Sequence, residues 1–341
     1  MLIISSYAVA VLMVIITMLC WGSWANAQKL AGTQKWPFQL FYWDYSIGVL
    51  ILALIFAFTI GSFGMAGQPF LQNFAGGNAS SFVNAFLGGV IFNAGNLMLV
   101  ISIAMAGMAI AFPVCVGLAL VIGVIANYIP NPIGNPLVLF IGVACIVVAM
   151  IVSALAYRKL SAVLHNGKTE KNKARKGLII AIIGGILMGF FYRFVAASMS
   201  FDFQNIQQGM FSPYTAVVVF SLGIFISSFL WNTINMYKPI SGGKCTYKQY
   251  FKCGTPKLHL IGIFGGIIWS IGMSFSIIAS NVAGPSISYG LGQGATLIAA
   301  IWGVFIWKEF KNAPKGTNTF LISMFVAYLV GIILIILARI I

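Results

Sequence analysis

A chain of 341 residues that is 60% hydrophobic and only 7% charged has too little polar surface to be a soluble domain, which excludes the globular enzyme and binding-module classes. The net charge of +15 would suit a nucleic-acid partner. No nucleic acid is expected, however, because the basic residues sit in short loops at the ends of apolar runs and build no basic helix or aromatic-interleaved patch.

Ten apolar runs remain, at 4–24, 41–62, 82–105, 107–127, 136–156, 177–197, 213–236, 258–281, 284–307 and 318–340. Each approaches or exceeds the roughly 20 helical residues that cross a bilayer. The first ends in Trp21 and Trp24, residue types that anchor helices at the membrane interface. Ala25-Asn26-Ala27 has the form of a signal cleavage site, but residues 1–20 hold no Lys or Arg and the run is too long for a leader, so a retained span is expected. The second run opens with Asp44 near its inner end, where a helix dipole favours a carboxylate; the same group is a candidate carrier of a coupling proton. On the third run Asn93 and Asn96 are three apart and share a face. The fourth carries Phe112 and Pro113, and Pro113 removes a backbone donor and invites a kink.

Arg193 lies near the outer end of the sixth run. Burying it in lipid is costly, so it should face the bundle or snorkel outward, with Asp202 as a partner. Trp269 occupies the eighth run, while Tyr289, Gly290 and Gln293 occupy the ninth. Glu309, beside Lys308 and Lys311, reads as a solvated group.

All but Arg193 and Arg339 of the 19 Lys and Arg fall in the first, fifth, seventh and ninth gaps. Basic loops mark the cytoplasmic side, so both termini are expected outside a cell membrane, with anionic lipid against the basic loops.

The chain resembles itself at an offset of 177 residues: Gly88-Gly89, Gly95, Ala106-Gly107 and Gly117 return as Gly265-Gly266, Gly272, Ala283-Gly284 and Gly294. Over 88–120 ten residues are identical without a gap. Five spans per copy is an odd number, so the second copy enters from the opposite face. The expected fold is all-α and polytopic, with ten transmembrane helices in two inverted five-helix repeats, 1–156 and 177–341, joined by a basic linker at 157–176. Transporters recur with this architecture, and corresponding breaks in the two halves point to the transport site. Pro113 and Gly290 are such a pair.

Neutral amides and hydroxyls beside aromatic rings suit an uncharged hydrogen-bonding solute, although the same groups also join helices to one another. Asn93, Asn96, Phe112, Trp269, Tyr289, Gln293 and Trp21 are the candidate substrate-binding residues. Arg193, Asp44, Pro113 and Gly290 are the candidate coupling or gating residues. No metal or cofactor is expected. Neither His165 nor His259 is near a paired carboxylate in sequence, Cys245 and Cys253 lack zinc spacing, and no phosphate loop or nucleophile elbow occurs. Enzyme chemistry has no acid–base pair to use, and without a nucleotide site the energy must come from an ion or solute gradient.

Several segments resemble a known family. Trp21-Gly22-Ser23, the hairpin Ala106-Gly107-Met108-Ala109-Ile110-Ala111-Phe112-Pro113 and Ile306-Trp307-Lys308-Glu309 resemble the drug/metabolite transporter superfamily. Trp43-Asp44-Tyr45-Ser46, Pro213-Tyr214-Thr215-Ala216 with Phe220-Ser221, and Phe112-Pro113 to Gly117-Leu118-Ala119-Leu120 are similar to the ureide permease-like group and its glucose/ribose and rhamnose porter relatives. The resemblance implies ten helices in inverted halves and alternating access without ATP. It further implies a secondary transporter, a proton-coupled importer of a small-molecule solute. Plant ureide permeases have a long central loop, and the short 157–176 linker here is closer to the sugar porters. A sugar is therefore expected first, a ureide or nucleobase second. An exporter of the same superfamily and a non-transporting sensor are the alternatives, and a homodimer is compatible with the pattern.

Overall fold

Ten helices long and apolar enough to cross a membrane make up most of the chain. The computed structural model describes residues 1–64, 66–164, 171–240 and 242–341. Among the described residues no strand occurs beyond one isolated bridge between Met199 and Phe211. His165 and the middle of the 157–176 linker lie outside them. Helices suit a bilayer, because a helical segment satisfies its backbone polar groups internally and enters hydrocarbon without orphaned donors or acceptors.

The first crossing, Tyr7–Thr33, consists of α1 (Tyr7–Ser23) and α2 (Ala25–Thr33). It runs nine residues past the apolar stretch that ends at Trp24. The residues between contain no proline, and Trp24 keeps right-handed helical backbone (φ −57°, ψ −34°), so the chain only bends there. Next come α3 (Phe38–Phe58), the short α4 (Phe70–Ala75), α5 (Ala79–Ala106), α6 (Met108–Tyr128), α7 (Pro136–Leu164) and α8 (Lys171–Ala197). The second half continues with α9 (Pro213–Tyr237), the short α10 (Tyr247–Cys253) and α11 (Pro256–Ala283). Its ninth crossing is broken into α12 (Pro285–Gly292), α13 (Ala295–Ile301) and a π-helical turn (Trp302–Ile306), and α14 (Thr317–Leu337) ends the fold.

Helix starts follow capping chemistry. Asn78, Ser212 and Thr255 accept the first free N–H groups of α5, α9 and α11, and proline opens α9, α11 and α12 where no donor is needed. The tight hairpins at Gly107 and Gly284 share one backbone shape, φ 82° and ψ 156° against φ 84° and ψ 148°. Only glycine adopts that region without strain. The two halves do not break at matching points, however. Helix α6 passes through Pro113 uninterrupted, and the break in the ninth crossing falls at Gln293-Gly294 rather than at Gly290.

Helix α5 packs on α8 and α9, and α11 packs on α1 and α3. Helix α6 lies on α8, α12 and α13 lie on α1, and α7 pairs with α14. Outward faces carry apolar side chains such as Leu12, Ile151, Val326 and Leu329, as lipid contact requires.

Candidate functional site

Helices α1, α2, α5, α6, α8, α11 and α13, with Gln293 just past the end of α12, surround one central cavity of about 210 Å³. Its aromatic end lies halfway along the crossings, where Trp269 of α11 meets Phe92 of α5 with ring centroids 4.5 Å apart. Trp21 stacks on Trp269 at 5.8 Å with 14° between planes, and its indole N–H donates to the Trp269 carbonyl at 3.2 Å. That bond fixes the ring, so its face is pre-set rather than found on binding. From there the lining runs past Asn96, Phe112, Met188, Gln293 and Thr296 to Gln28 and Ile103 near the lysine-rich ends of the helices. Beyond Phe92 and Phe191 the other half of the bundle is filled by Phe220, Tyr192 and Tyr289.

The polar side-chain groups of this lining are amides, one hydroxyl and the indole N–H groups of its tryptophans, and no charged residue is among them. Asn96 donates one N–H to the Tyr42 hydroxyl at 3.2 Å, while its side-chain oxygen accepts nothing from the described residues. The Gln293 and Gln28 side chains likewise have no partner among the described residues. Three amides with unused capacity in an aromatic cleft form a hydrogen-bonding site for an uncharged ligand.

A model of the family described as Ureide permease matches residues 41–176 and 166–338. The chain belongs to the ureide permease family. It is 23% identical over 382 residues to Ureide permease 1 of Arabidopsis thaliana, covering 97% of each chain. Ureide permease 4 of the same plant is also 23% identical, with 97% of both chains aligned. Probable ureide permease A3 of Vigna unguiculata is 22% identical over 81% of this chain and 89% of its own. A solved crystal structure of another protein superposes on 98% of this chain and 99% of its own, with a TM-score of 0.57 and 14% identity, a likeness of fold. The permease is therefore a multi-pass membrane transporter and not an enzyme.

Five sequence candidates, Trp21, Asn96, Phe112, Trp269 and Gln293, line the permease cavity. Asn93 and Tyr289 do not. Asn93 spends its N–H groups on the Ile224 carbonyl (3.1 Å), Ser227 (2.7 Å) and Ser228 (3.1 Å), and its oxygen accepts from Tyr42 at 2.8 Å. The Tyr289 hydroxyl donates to backbone oxygens of Ala119 and Met188, both at 3.1 Å. Both residues join helices, and they hold Asn96 and the aromatic floor in place. Gln28 and Thr296, missing from the sequence candidates, belong to the cavity. Gln28 was hidden because the first helix outruns its apolar stretch.

Asn96→Ala is expected to cut uptake about tenfold with little change in melting temperature, because its open oxygen faces the cavity. Asn93→Ala leaves several buried groups unsatisfied, at about 1–3 kcal/mol for each group. It should lower the melting temperature measured in detergent, and an equal melting shift in the two variants would contradict this division.

Asp44 sits deeper than a first-turn cap. It is two turns into α3 and 1% exposed. Its Oδ1 accepts from the Tyr250 hydroxyl at 2.6 Å and lies 2.9 Å from Nδ1 of His259, and its Oδ2 is buried with no partner. His259 is thus far from isolated, correcting the sequence expectation. Both residues sit at the lysine-rich end of neighbouring helices, and Gly262 of α11 makes room for the Asp44 side chain. Trp36 covers the imidazole edge-on at 5.7 Å. Burial, followed by the Asp44 carboxylate, pushes the Tyr250 hydroxyl up, so it remains a donor.

Arg193 does not pair with Asp202. Hydrogen bonds from the Asn205 amide and the Gln204 N–H hold the Asp202 carboxyl below its ordinary range, within its own loop. Glu309 is not simply solvated: Lys29 donates to it at 2.8 Å and Tyr157 at 3.0 Å. Lys29 also sits over the Trp307 ring, 4.1 Å from its centroid. This clasp ties α2 and α7 to the end of the ninth crossing. Pro113 borders a small side pocket beside Phe112, and Gly290 packs near Val124 and Ile335.

Proposed function

We propose that this permease is a secondary carrier of a small, planar, uncharged solute of the cyclic ureide or nucleobase class. The observation that carries the reading is the cavity itself, with the stacked faces of Trp21 and Trp269 beside the unpartnered amides of Asn96, Gln293 and Gln28. Flat rings stack on flat ring faces, and in-plane N–H and C=O groups need in-plane amide partners. The names of the relatives point the same way. Both considerations reverse the order suggested by the short linker, so a ureide now stands ahead of a sugar.

The mechanism in this reading is alternating access of two inverted halves, 1–156 and 177–341, in the manner of the drug/metabolite transporter superfamily. Contacts that exchange under the repeat favour it: α5 on α8 and α9 corresponds to α11 on α1 and α3, and α7 on α14 corresponds to itself. The shared backbone shape of Gly107 and Gly284 also fits. The lysine-rich face is cytoplasmic, both termini are outside, and the cavity extends toward the cytoplasm. A proton is the coupling ion and Asp44 its carrier, with a cell membrane as the setting.

Uptake by proteoliposomes under an imposed pH gradient tests this, using labelled cyclic ureides, nucleobases and hexoses. Gradient-driven accumulation of a ureide or nucleobase is expected. Accumulation of a hexose alone would return the sugar to first place, and movement of nothing by folded protein would sink the carrier.

A further inference from the structure

A second, smaller cavity lies beyond the aromatic floor of the central one and shares no lining residue with it. Past Phe191 the next residue of α8, Tyr192, is fully buried, and its ring lies 5.1 Å from that of Tyr289. Its hydroxyl donates to the Ser276 carbonyl at 3.1 Å and lies 3.0 Å from the Ser276 hydroxyl. The Ser288 hydroxyl donates to the same carbonyl at 2.6 Å and lies 3.2 Å from the Ser276 hydroxyl. One carbonyl of α11 therefore gathers side chains from α8 and α12, joining α8, which packs on α5 and α6, to the α11–α12 hairpin.

One helical turn beyond Ser276 comes Ser280, and here the packing opens again. A pocket of about 130 Å³ lies among the ends of α8 and α11 and the loops at 129–133 and 198–203. That is roughly four times the ~30 Å³ share of one water. Its polar lining is Asn131, Ser200, Ser280 and Asn281, beside Phe201 and Phe203. The residue types repeat those of the central cavity, amides next to aromatic rings, and no Lys, Arg, Asp or Glu takes part.

We propose that this pocket is a second binding site for the same neutral, planar solute on the face opposite the lysine-rich loops, and that Tyr192, Ser276 and Ser288 form the gate separating it from the central cavity. The proposal rests on the carrier reading above. The hydrogen-bonded layer of the gate is made of three hydroxyls gathered at Ser276, one turn from Ser280, so its hold is released by exchanging three hydrogen bonds for bonds to water. Such exchange is nearly neutral in free energy compared with pulling apart an apolar plug, because each net bond contributes only about 1 kcal/mol. The tyrosine rings above supply the seal against the solute, and the hydroxyls supply the hold.

The test uses a variant with all five native cysteines replaced by alanine, reconstituted in nanodiscs, with one reporter cysteine at a time. Asn281→Cys reports on the second pocket and Val100→Cys on the opposite mouth of the central cavity. Adding Tyr192→Phe keeps the ring and removes the hydroxyl. Labelling by a hydrophilic maleimide should rise at least threefold at position 281 and fall by a similar factor at position 100, since opening one side closes the other. A rise at both positions means general loosening, and no change at either means no gate; both overturn it. These readouts need no substrate, so they stand apart from failure of the carrier reading.

For the site itself, Ser280→Trp and Ser200→Trp fill the pocket. Uptake of the solute found active in the proteoliposome screen should fall at least tenfold in each variant. Its binding in the central cavity, read by quenching of intrinsic tryptophan fluorescence relative to each unliganded variant, should stay within twofold. Unchanged uptake in both variants would overturn the second site.

Discussion

Replacing Gly266 by valine is expected to remove most of the folded protein, with Gly89→Val doing the same. A Cβ at Gly266 would lie 2.0 Å from the Tyr45 carbonyl oxygen and 2.8 Å from the Val49 nitrogen. At Gly89 it would lie 2.1 Å from the Phe220 carbonyl oxygen. In both places the obstacle is backbone, which cannot swing aside as a side chain can. Overpacking commonly costs about 1–3 kcal/mol, and a clash with a neighbouring helix backbone belongs at or above the top of that range. Small residues matter here because lipid tails are as apolar as leucine, so helices associate through close packing rather than through a hydrophobic drive. Gly32→Ala is the control, since its Cβ would meet nothing within 4 Å. The recovery of monodisperse protein and its melting temperature are the measurements. Normal recovery of Gly266→Val would mean that α3 and α11 are not held where they are described.

These two glycines are also legible in the sequence alone. They recur at the 177-residue offset because each admits a neighbouring helix of the corresponding kind, α9 against Gly89 and α3 against Gly266. The ten crossings were legible because hydrocarbon thickness imposes a length and a composition on each. The hairpins were legible because few residues other than glycine turn at φ near 83°. Side-chain purpose was harder to read. Asn93 and Asn96 look alike in sequence, yet one is saturated by α3 and α9 while the other keeps an open acceptor. Which neighbours consume a polar group is a property of packing, not of helix phase. Gln28 escaped notice because hydropathy marks where lipid ends, not where a helix ends. The Asp44–His259 pair spans 215 residues. It could have been suspected only from both groups lying at the same depth on the lysine-rich side.

Asp44→Asn is expected to abolish pH-driven accumulation, by at least tenfold, while solute exchange at equal pH stays within about threefold of the unmodified protein. Asparagine preserves shape and still accepts from Tyr250 and His259 through its oxygen, so α3, α10 and α11 keep their junction. What it loses is the second oxygen, which is buried without a partner in the permease. An unpartnered carboxylate oxygen in a low-dielectric setting is costly, and binding a proton relieves that cost. A carrier that must bind and release one proton per cycle needs such an atom; a carrier that merely equilibrates its solute does not. Tyr250→Phe separates the two roles further. It removes one donor to Oδ1 and leaves the carboxyl, so accumulation should persist with an altered pH profile. If instead Asp44→Asn loses exchange and accumulation together with a lowered melting temperature, the carboxylate is a brace joining the two halves. If accumulation survives the change, the proton travels by another group or does not travel at all. Either result would separate the shape of this buried cluster from its chemistry, because the substitution alters only one atom of the side chain and the proton it can hold.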